Sequence, residues 1–298
     1  MGITGGYPRL SRRFGKVMGY IQLCRPFTLL APLVAGVLGT LAPVRELTLA
    51  NITTSIYVGV TLSLAQACGQ CLNQYADSDL DRLIKPYRPI PSGLVSREEA
   101  LGLSWLLALF AVGRSFTISV FFGLATLTLL FFSVFYSLSP FSPRRVNPFL
   151  NTGWMAVSRG FLPIYAVMSV YGSLEDVWRY ALLGFLWVMA YQATKDINDA
   201  EGDKRFGIKT IPNTYGSRGF LIYSTLVTII MYLYSIFFLP RIMLLLIPVS
   251  LVALLGLKRQ VKGVENNLGW IAFYLGLALI FVLVFVAVFI LRPSENVF

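Results

Sequence analysis

The chain contains no histidine. That absence removes a histidine general base, a Ser-His-Asp relay and any imidazole metal ligand. Charge is also scarce: 13% of the 298 residues are Asp, Glu, Lys or Arg, against about 25% in soluble globular domains. Apolar residues make up 56% and gather in runs long enough to cross a bilayer. The expected fold class is therefore all-α, a polytopic membrane protein. Cysteine is limited to Cys24, Cys68 and Cys71. Cys68 and Cys71 form a CxxC inside an apolar helix with no second pair, so they read as packing residues, because a zinc site needs four ligands. No disulfide framework is implied. The net charge of +11 reads as the loop lysines and arginines of a membrane protein. No aromatic-interleaved basic surface points to nucleic acid.

Hydropathy places nine transmembrane helices at about 21–44, 53–75, 100–112, 116–138, 149–171, 178–194, 219–239, 242–257 and 268–291, in one domain covering 1–298. Arg25-Pro26 opens the first, where proline suits the first helical turn. Pro140, Pro143, Arg144 and Arg145 break the chain between the fourth and fifth. The basic start (Arg9, Arg12, Arg13, Lys16) shows no small-residue cleavage site and reads as an uncleaved cytoplasmic tail. Eighteen of the 25 Lys and Arg fall in that tail and in the loops after even-numbered spans. Five fall in the other loops and the C-terminal tail, and Arg25 and Arg159 lie at or within spans. This bias places the N-terminus in the cytoplasm.

The few acids are concentrated. Seven of 14 lie in two stretches, Asn73–Gly93 and Lys195–Gly216. Asn73, Asp77 and Asp81 are spaced i, i+4, i+8, which on a helix sets three oxygen ligands on one face. Asp199 and Asp203 repeat the step, with Asp196 one turn earlier. Asp79 and Glu201 fall off these rows. So many like charges together are costly without a cation. Oxygen-only ligands on two helices suit Mg²⁺, which takes a few carboxylates plus waters and substrate phosphates. The reading is an enzyme that holds a diphosphate through magnesium, with both motifs on the cytoplasmic face of a cell membrane. The acids themselves read as exposed loop residues.

Bases accompany the acids: Lys85, Arg88, Lys195, Lys204, Arg205 and Lys209. Acids for the metal and bases for the remaining phosphate oxygens fit a metal diphosphate. Arg159 differs, lying ten residues into the fifth span, where a charge faces a cavity or an ion-pair partner. Tyr136-Ser137 ends the fourth span with two hydroxyls, and Arg145 follows in the break. Arg88, Tyr136, Ser137, Arg145, Arg159 and Lys195 are thus the candidate substrate contacts. A weak internal repeat relates Asn73 to Asp199 and Asp77 to Asp203, each pair 126 residues apart. It divides the chain into halves at about 21–140 and 149–257, with the ninth span outside. Such repeats commonly build one site between them.

At these motifs the chain resembles the UbiA superfamily of intramembrane prenyltransferases. Asn73, Asp77 and Asp81 match its NxxxDxxxD, the following Tyr87–Gly93 (YRPIPSG) is similar, and Asp199 and Asp203 match its DxxxD. The wording of Asp196–Pro212 is similar to that of chlorophyll synthases and archaeal digeranylgeranylglyceryl phosphate synthases. The resemblance implies helices around a central cavity with a lateral opening to the bilayer. It implies that Asp77, Asp81, Asp199 and Asp203 serve catalysis, and that together with Asn73 they hold Mg²⁺ and an isoprenyl diphosphate. The acceptor would be a 4-hydroxybenzoate-type aromatic, a geranylgeranylglyceryl phosphate or a tetrapyrrole carboxylate, and an aromatic wall would shelter the allylic cation. The rivals are a secondary transporter or channel with an acidic cation site, and a CDP-alcohol phosphotransferase. A transporter calls for polar residues near the midplane. The phosphotransferases carry one contiguous acidic run, not two distant ones.

Overall fold

The computed structural model describes residues 9–138, 142–171 and 177–291, with side chains from residue 15 onward. Pro140, Arg292 and the side chains of Arg9, Arg12 and Arg13 lie outside the described residues. Every regular element among the described residues is helical. Six helices are long and apolar enough to cross a membrane, and a seventh span results if one bent pair counts as a unit. Large apolar side chains such as Leu109, Phe121 and Phe237 are more than two-thirds exposed, as they are on helices that face lipid. The chain is a multi-pass membrane protein.

The bent pair is α1 (Arg9–Cys24) and α2 (Pro26–Leu41). The sequence reading ran one helix through Ile21–Val44. The two meet instead at 49°, because Arg25 between them takes a left-handed backbone (φ 50°, ψ 70°). Pro26 then starts α2 where its missing N–H costs nothing. Next come α3 (Leu49–Ala76), the short α4 (Ser78–Ile84), α5 (Arg97–Phe116) and α6 (Val120–Ser137). α5 begins earlier than hydropathy suggested because Ser96 and Glu99 form a reciprocal capping box. A 3₁₀ turn at Pro143–Arg145 leads to α7 (Pro148–Ala156), a π-helical turn at Val157–Phe161 and α8 (Leu162–Met168).

α9 (Val177–Tyr191) runs through a 3₁₀ turn, Gln192–Lys195, into α10 (Asp196–Arg205). α11 (Ile211–Phe238) follows, capped by Thr210 and Asn213 with Pro212 in its first turn. A 3₁₀ turn, Arg241–Leu246, precedes α12 (Ile247–Val261), and α13 (Leu268–Phe285) ends in a π turn, Val286–Ile290. Small residues let the helices close on one another. A Cβ on Gly36 of α2 would lie 2.2 Å from the Gly59 Cα of α3. One on Gly160 would lie 2.3 Å from the Gly184 carbonyl of α9. Backbone approach of this kind is what packs helices in lipid, where burial of apolar surface supplies little.

Candidate active site

The acids of both stretches stand on helices or at a helix junction, not in loops. The i→i−4 pattern passes unbroken through Asp77, whose N–H donates to the Asn73 carbonyl and whose carbonyl accepts from the Asp81 N–H. Asp77 itself departs from helical backbone (φ −94°, ψ 11°). α4 therefore leaves α3 at a new angle while Asn73, Asp77 and Asp81 stay on one side. α10 lies against α4, and Gly202 makes that approach possible. A Cβ there would come within 2.9 Å of Ile84 Cγ2.

The two acidic helices enclose a polar cavity of about 550 Å³. Asn73, Asp77 and Asp81 line one wall; Lys195, Asp196, Asp199 and Asp203 line the other. Arg88, Tyr136, Lys85, Arg25 and Arg144 complete the ionic part. Below it lies an apolar chamber of about 100 Å³. Arg25, Thr28, Asn73, Tyr136, Lys195 and Trp270 border both, so they form a shared neck. The inner chamber holds Ser137, Arg159 and an aromatic lining that includes Phe132, Phe273, Tyr274 and Phe281. Arg159 stands in the π-helical turn, a distortion that recurs at functional sites.

Three acids in the polar cavity, Asp77, Asp81 and Asp199, are each matched to a base. Arg144 forks Asp77, with Nη2 to Oδ1 at 2.6 Å and Nη1 to Oδ2 at 2.9 Å. Arg88 donates to both oxygens of Asp81 at 2.6 Å. Lys85 Nζ donates to Asp199 Oδ2, joining the two motifs across the cavity. Asn73 Nδ2 donates to Asp77 Oδ2 at 2.8 Å. No group of three acids or cysteines among the described residues stands close enough to hold an ion unaided.

The acids are also more buried than a loop reading allows: Asp81 is 2% and Asp203 8% exposed. Burial pushes Asp81 up from the ordinary carboxylate range, with Arg88 opposing. Burial and the charges of Asp196 and Asp199 push Asp203 up to about 7. Burial raises Asp196 as well, with Lys195 opposing it and Asp199 adding to it. Burial works against the Arg144 charge, and the Asp77 carboxylate more than offsets it.

The structure brings every sequence candidate to the two cavities except Arg145. Successive residues of a 3₁₀ turn point about 120° apart, so Arg144 turns inward, 4% exposed, and Arg145 turns to the surface. Arg144 is the residue that the sequence reading passed over. Its only signal was proximity to Arg145. Arg25 was also missed, although it borders both cavities and its Nη2 is buried without a partner. Asp79, left out on spacing, is exposed and pairs with Arg82 at 3.6 Å.

A family model for the UbiA prenyltransferase family matches residues 26–267. The chain belongs to the UbiA prenyltransferase family. Membership settles the reaction class as prenyl transfer and removes the transporter and phosphotransferase readings. A digeranylgeranylglyceryl phosphate synthase of Thermococcus gammatolerans is 31% identical to this prenyltransferase over 209 residues, covering 68% of this chain and 71% of its own. One of Pyrococcus abyssi is 30% identical over 258 residues, covering 84% and 88%. Among solved structures, a UbiA homologue from Archaeoglobus fulgidus bound to GPP and Mg²⁺ superposes with a TM-score of 0.71 at 20% identity, over 91% of this chain and 99% of that one. That likeness shows the fold.

Proposed function

We propose that this prenyltransferase moves a polyprenyl group from an isoprenyl diphosphate to a hydrophobic acceptor within the membrane, releasing diphosphate in a Mg²⁺-dependent reaction. One observation carries the reading: two acidic helices face each other across a polar cavity that opens, through a shared neck, into an aromatic-lined apolar chamber. A diphosphate fits the first and its apolar tail the second. The donor set fits magnesium. Asn73, Asp77, Asp81, Asp199 and Asp203 offer only oxygens or an amide, with Asp196 beside them. The diphosphate oxygens would complete the coordination that the protein alone does not supply. Bound magnesium would neutralise charge on the departing diphosphate.

The chain's own bases do the rest. Arg144, Arg88 and Lys85 exchange carboxylate for phosphate oxygens as the donor enters, so their charges stay compensated throughout. Lys195 and Arg25 stand at the neck, beside the carbon–oxygen bond that breaks. The aromatic chamber excludes water and offers ring faces to the allylic cation. Two relatives named as digeranylgeranylglyceryl phosphate synthases favour the glyceryl phosphate among the three acceptor classes. Nine spans support this arrangement if 148–168 and 177–195, helical but broken or short, are counted with the longer helices and α2. The Lys and Arg bias supports a cytoplasmic N-terminus, and the 126-residue spacing supports a two-half repeat.

Diphosphate release by the purified protein tests this, with Mg²⁺, geranylgeranyl diphosphate and each acceptor in turn. Release dependent on geranylgeranylglyceryl phosphate, silenced by EDTA and restored by Mg²⁺, is expected. Turnover that persists in excess chelator would remove the metal from the mechanism.

A further inference from the structure

Lys85 and Asp199 join the two acidic motifs across the cavity, and the incoming donor exchanges that link. A second link runs behind the cavity wall and is built of backbone. α10 ends in a Schellman turn: the Gly207 N–H donates to the Lys204 carbonyl at 3.2 Å and the Ile208 N–H to the Asp203 carbonyl at 2.9 Å. Gly207 supplies the left-handed angle, φ 70°. The chain then reaches the 3₁₀ turn Pro143–Arg145, where the Lys209 N–H donates to the Arg144 carbonyl at 2.6 Å. Arg144 in turn forks Asp77. One side chain fastens this link to the bundle: Asn151 of α7 donates from Nδ2 to the Lys209 carbonyl at 2.9 Å. Asn151 is 5% exposed and sits inside a helix, where asparagine is a poor choice by propensity. Neither Asn151 nor Lys209 lines either cavity. The 3₁₀ turn has few bonds of its own. Arg145 N–H donates to the Ser142 carbonyl and Val146 N–H to the Pro143 carbonyl, both at 3.1 Å, and Ser142 Oγ ties the start to the Tyr136 carbonyl at 2.6 Å.

We infer that Asn151 is a positioning residue for Arg144: through Lys209 it holds the Arg144 backbone so that the guanidinium stays aimed at the diphosphate after it has released Asp77. The inference rests on the proposed exchange of carboxylate for phosphate oxygens. While Asp77 is forked, the side chain helps to fix its own backbone. Once Asp77 turns away, that constraint is gone, and the Lys209 N–H is what still grips the Arg144 carbonyl. Asn151 keeps Lys209 in place without touching the substrate. Without the Nδ2 donor, the 206–210 segment loses its fastening to α7. Arg144 then meets the diphosphate from a looser backbone, and ordering that backbone subtracts from binding.

Equilibrium binding to the purified full chain in detergent with Mg²⁺ tests this without turnover. The probes are the unreactive thiolo analogue of geranylgeranyl diphosphate and geranylgeraniol, which lacks the diphosphate. Asn151→Leu, close in volume and without the donor, should weaken the thiolo analogue about tenfold and leave geranylgeraniol within about twofold. Asn151→Ala should do the same, and it serves as the test if the leucine variant fails to fold. Arg144→Gln, which keeps one donor for Asp77, should weaken the analogue about fiftyfold. Adding Asn151→Leu to it should change the affinity by less than about twofold, because nothing is left to position. An equal loss for both probes in the Asn151 variants overturns the inference, and so does a double variant in which the two losses multiply. Unchanged affinity in the Asn151 variants, beside a fiftyfold loss in Arg144→Gln, removes the inference and leaves the exchange standing. Unchanged affinity in Arg144→Gln overturns both.

Discussion

The two chambers handle positive charge in opposite ways. In the polar cavity Arg144, Arg88 and Lys85 each hold a carboxylate. In the inner chamber Arg25 and Arg159 have no ion-pair partner among the described residues, and the lining contains no acid. A matched pair survives burial because each charge offsets the desolvation of the other. An unmatched cation in apolar surroundings is unfavourable until an anion arrives. The polar cavity is thus built to be stable when empty and to trade partners. The inner chamber is built to be completed by its ligand.

Four measurements can break or sharpen this contrast. The largest effect is expected from Asp199→Asn and Asp203→Asn, which keep the shape of α10 and remove its charge. Diphosphate release should fall by about a thousandfold, the scale on which charge stabilisation acts, with an unchanged elution profile in detergent. Full activity in either variant would place the reaction elsewhere. Next, Arg144→Leu strands Asp77 and should cost about 3–5 kcal/mol of stability, whereas Arg159→Leu strands nothing and should cost under about 1. Unfolding in detergent compares them, and equal losses would erase the contrast. Third, if the acceptor's anionic group meets Arg159 while the donor's apolar tail passes it, Arg159→Leu should raise the acceptor KM by about tenfold and leave the donor KM within about twofold. The fourth measurement concerns pH. Asp203 is pushed from 3.8 to about 7 in the fold, so the native state binds the extra proton between those values. Chelator-treated protein should then lose stability as pH rises from about 4 through 7. Asp203→Asn should flatten that slope; an unchanged slope would assign it to other groups.

The acid rows were legible because a 3.6-residue period survives in the sequence even where the helix changes direction. Asn73, Asp77 and Asp81 share a cavity wall as the spacing predicts. Their burial was not legible. Polar composition reads as solvent exposure, and only the close approach of α4 and α10 covers Asp81 and Asp203. The short helical turn ahead of the kink at Gly216 was hidden by the same polarity, although Thr210, Pro212 and Asn213 spell out its cap; the span beyond the kink begins close to where hydropathy places it. Arg25 and Arg144 escaped for another reason: what they do depends on a backbone angle and a 3₁₀ turn, and neither leaves a periodic trace. Arg159, by contrast, was conspicuous as a charge in an apolar run, and the structure places it in the inner chamber.

Gly202 carries a consequence for how this chain tolerates change. Replacing a mid-helix glycine by alanine ordinarily steadies a helix by about 0.5–1 kcal/mol. At position 202 the added methyl meets Ile84 Cγ2 at 2.9 Å, Ile84 Cδ1 at 3.3 Å and Leu80 Cδ1 at 3.4 Å, on the stiff branched face of the opposite acidic helix. The substitution that propensity favours most would wedge the two motifs apart. Selection for a firmer α10 and selection for a closed cavity therefore pull this one residue in opposite directions, and the smallest side chain in the alphabet marks which of them prevailed.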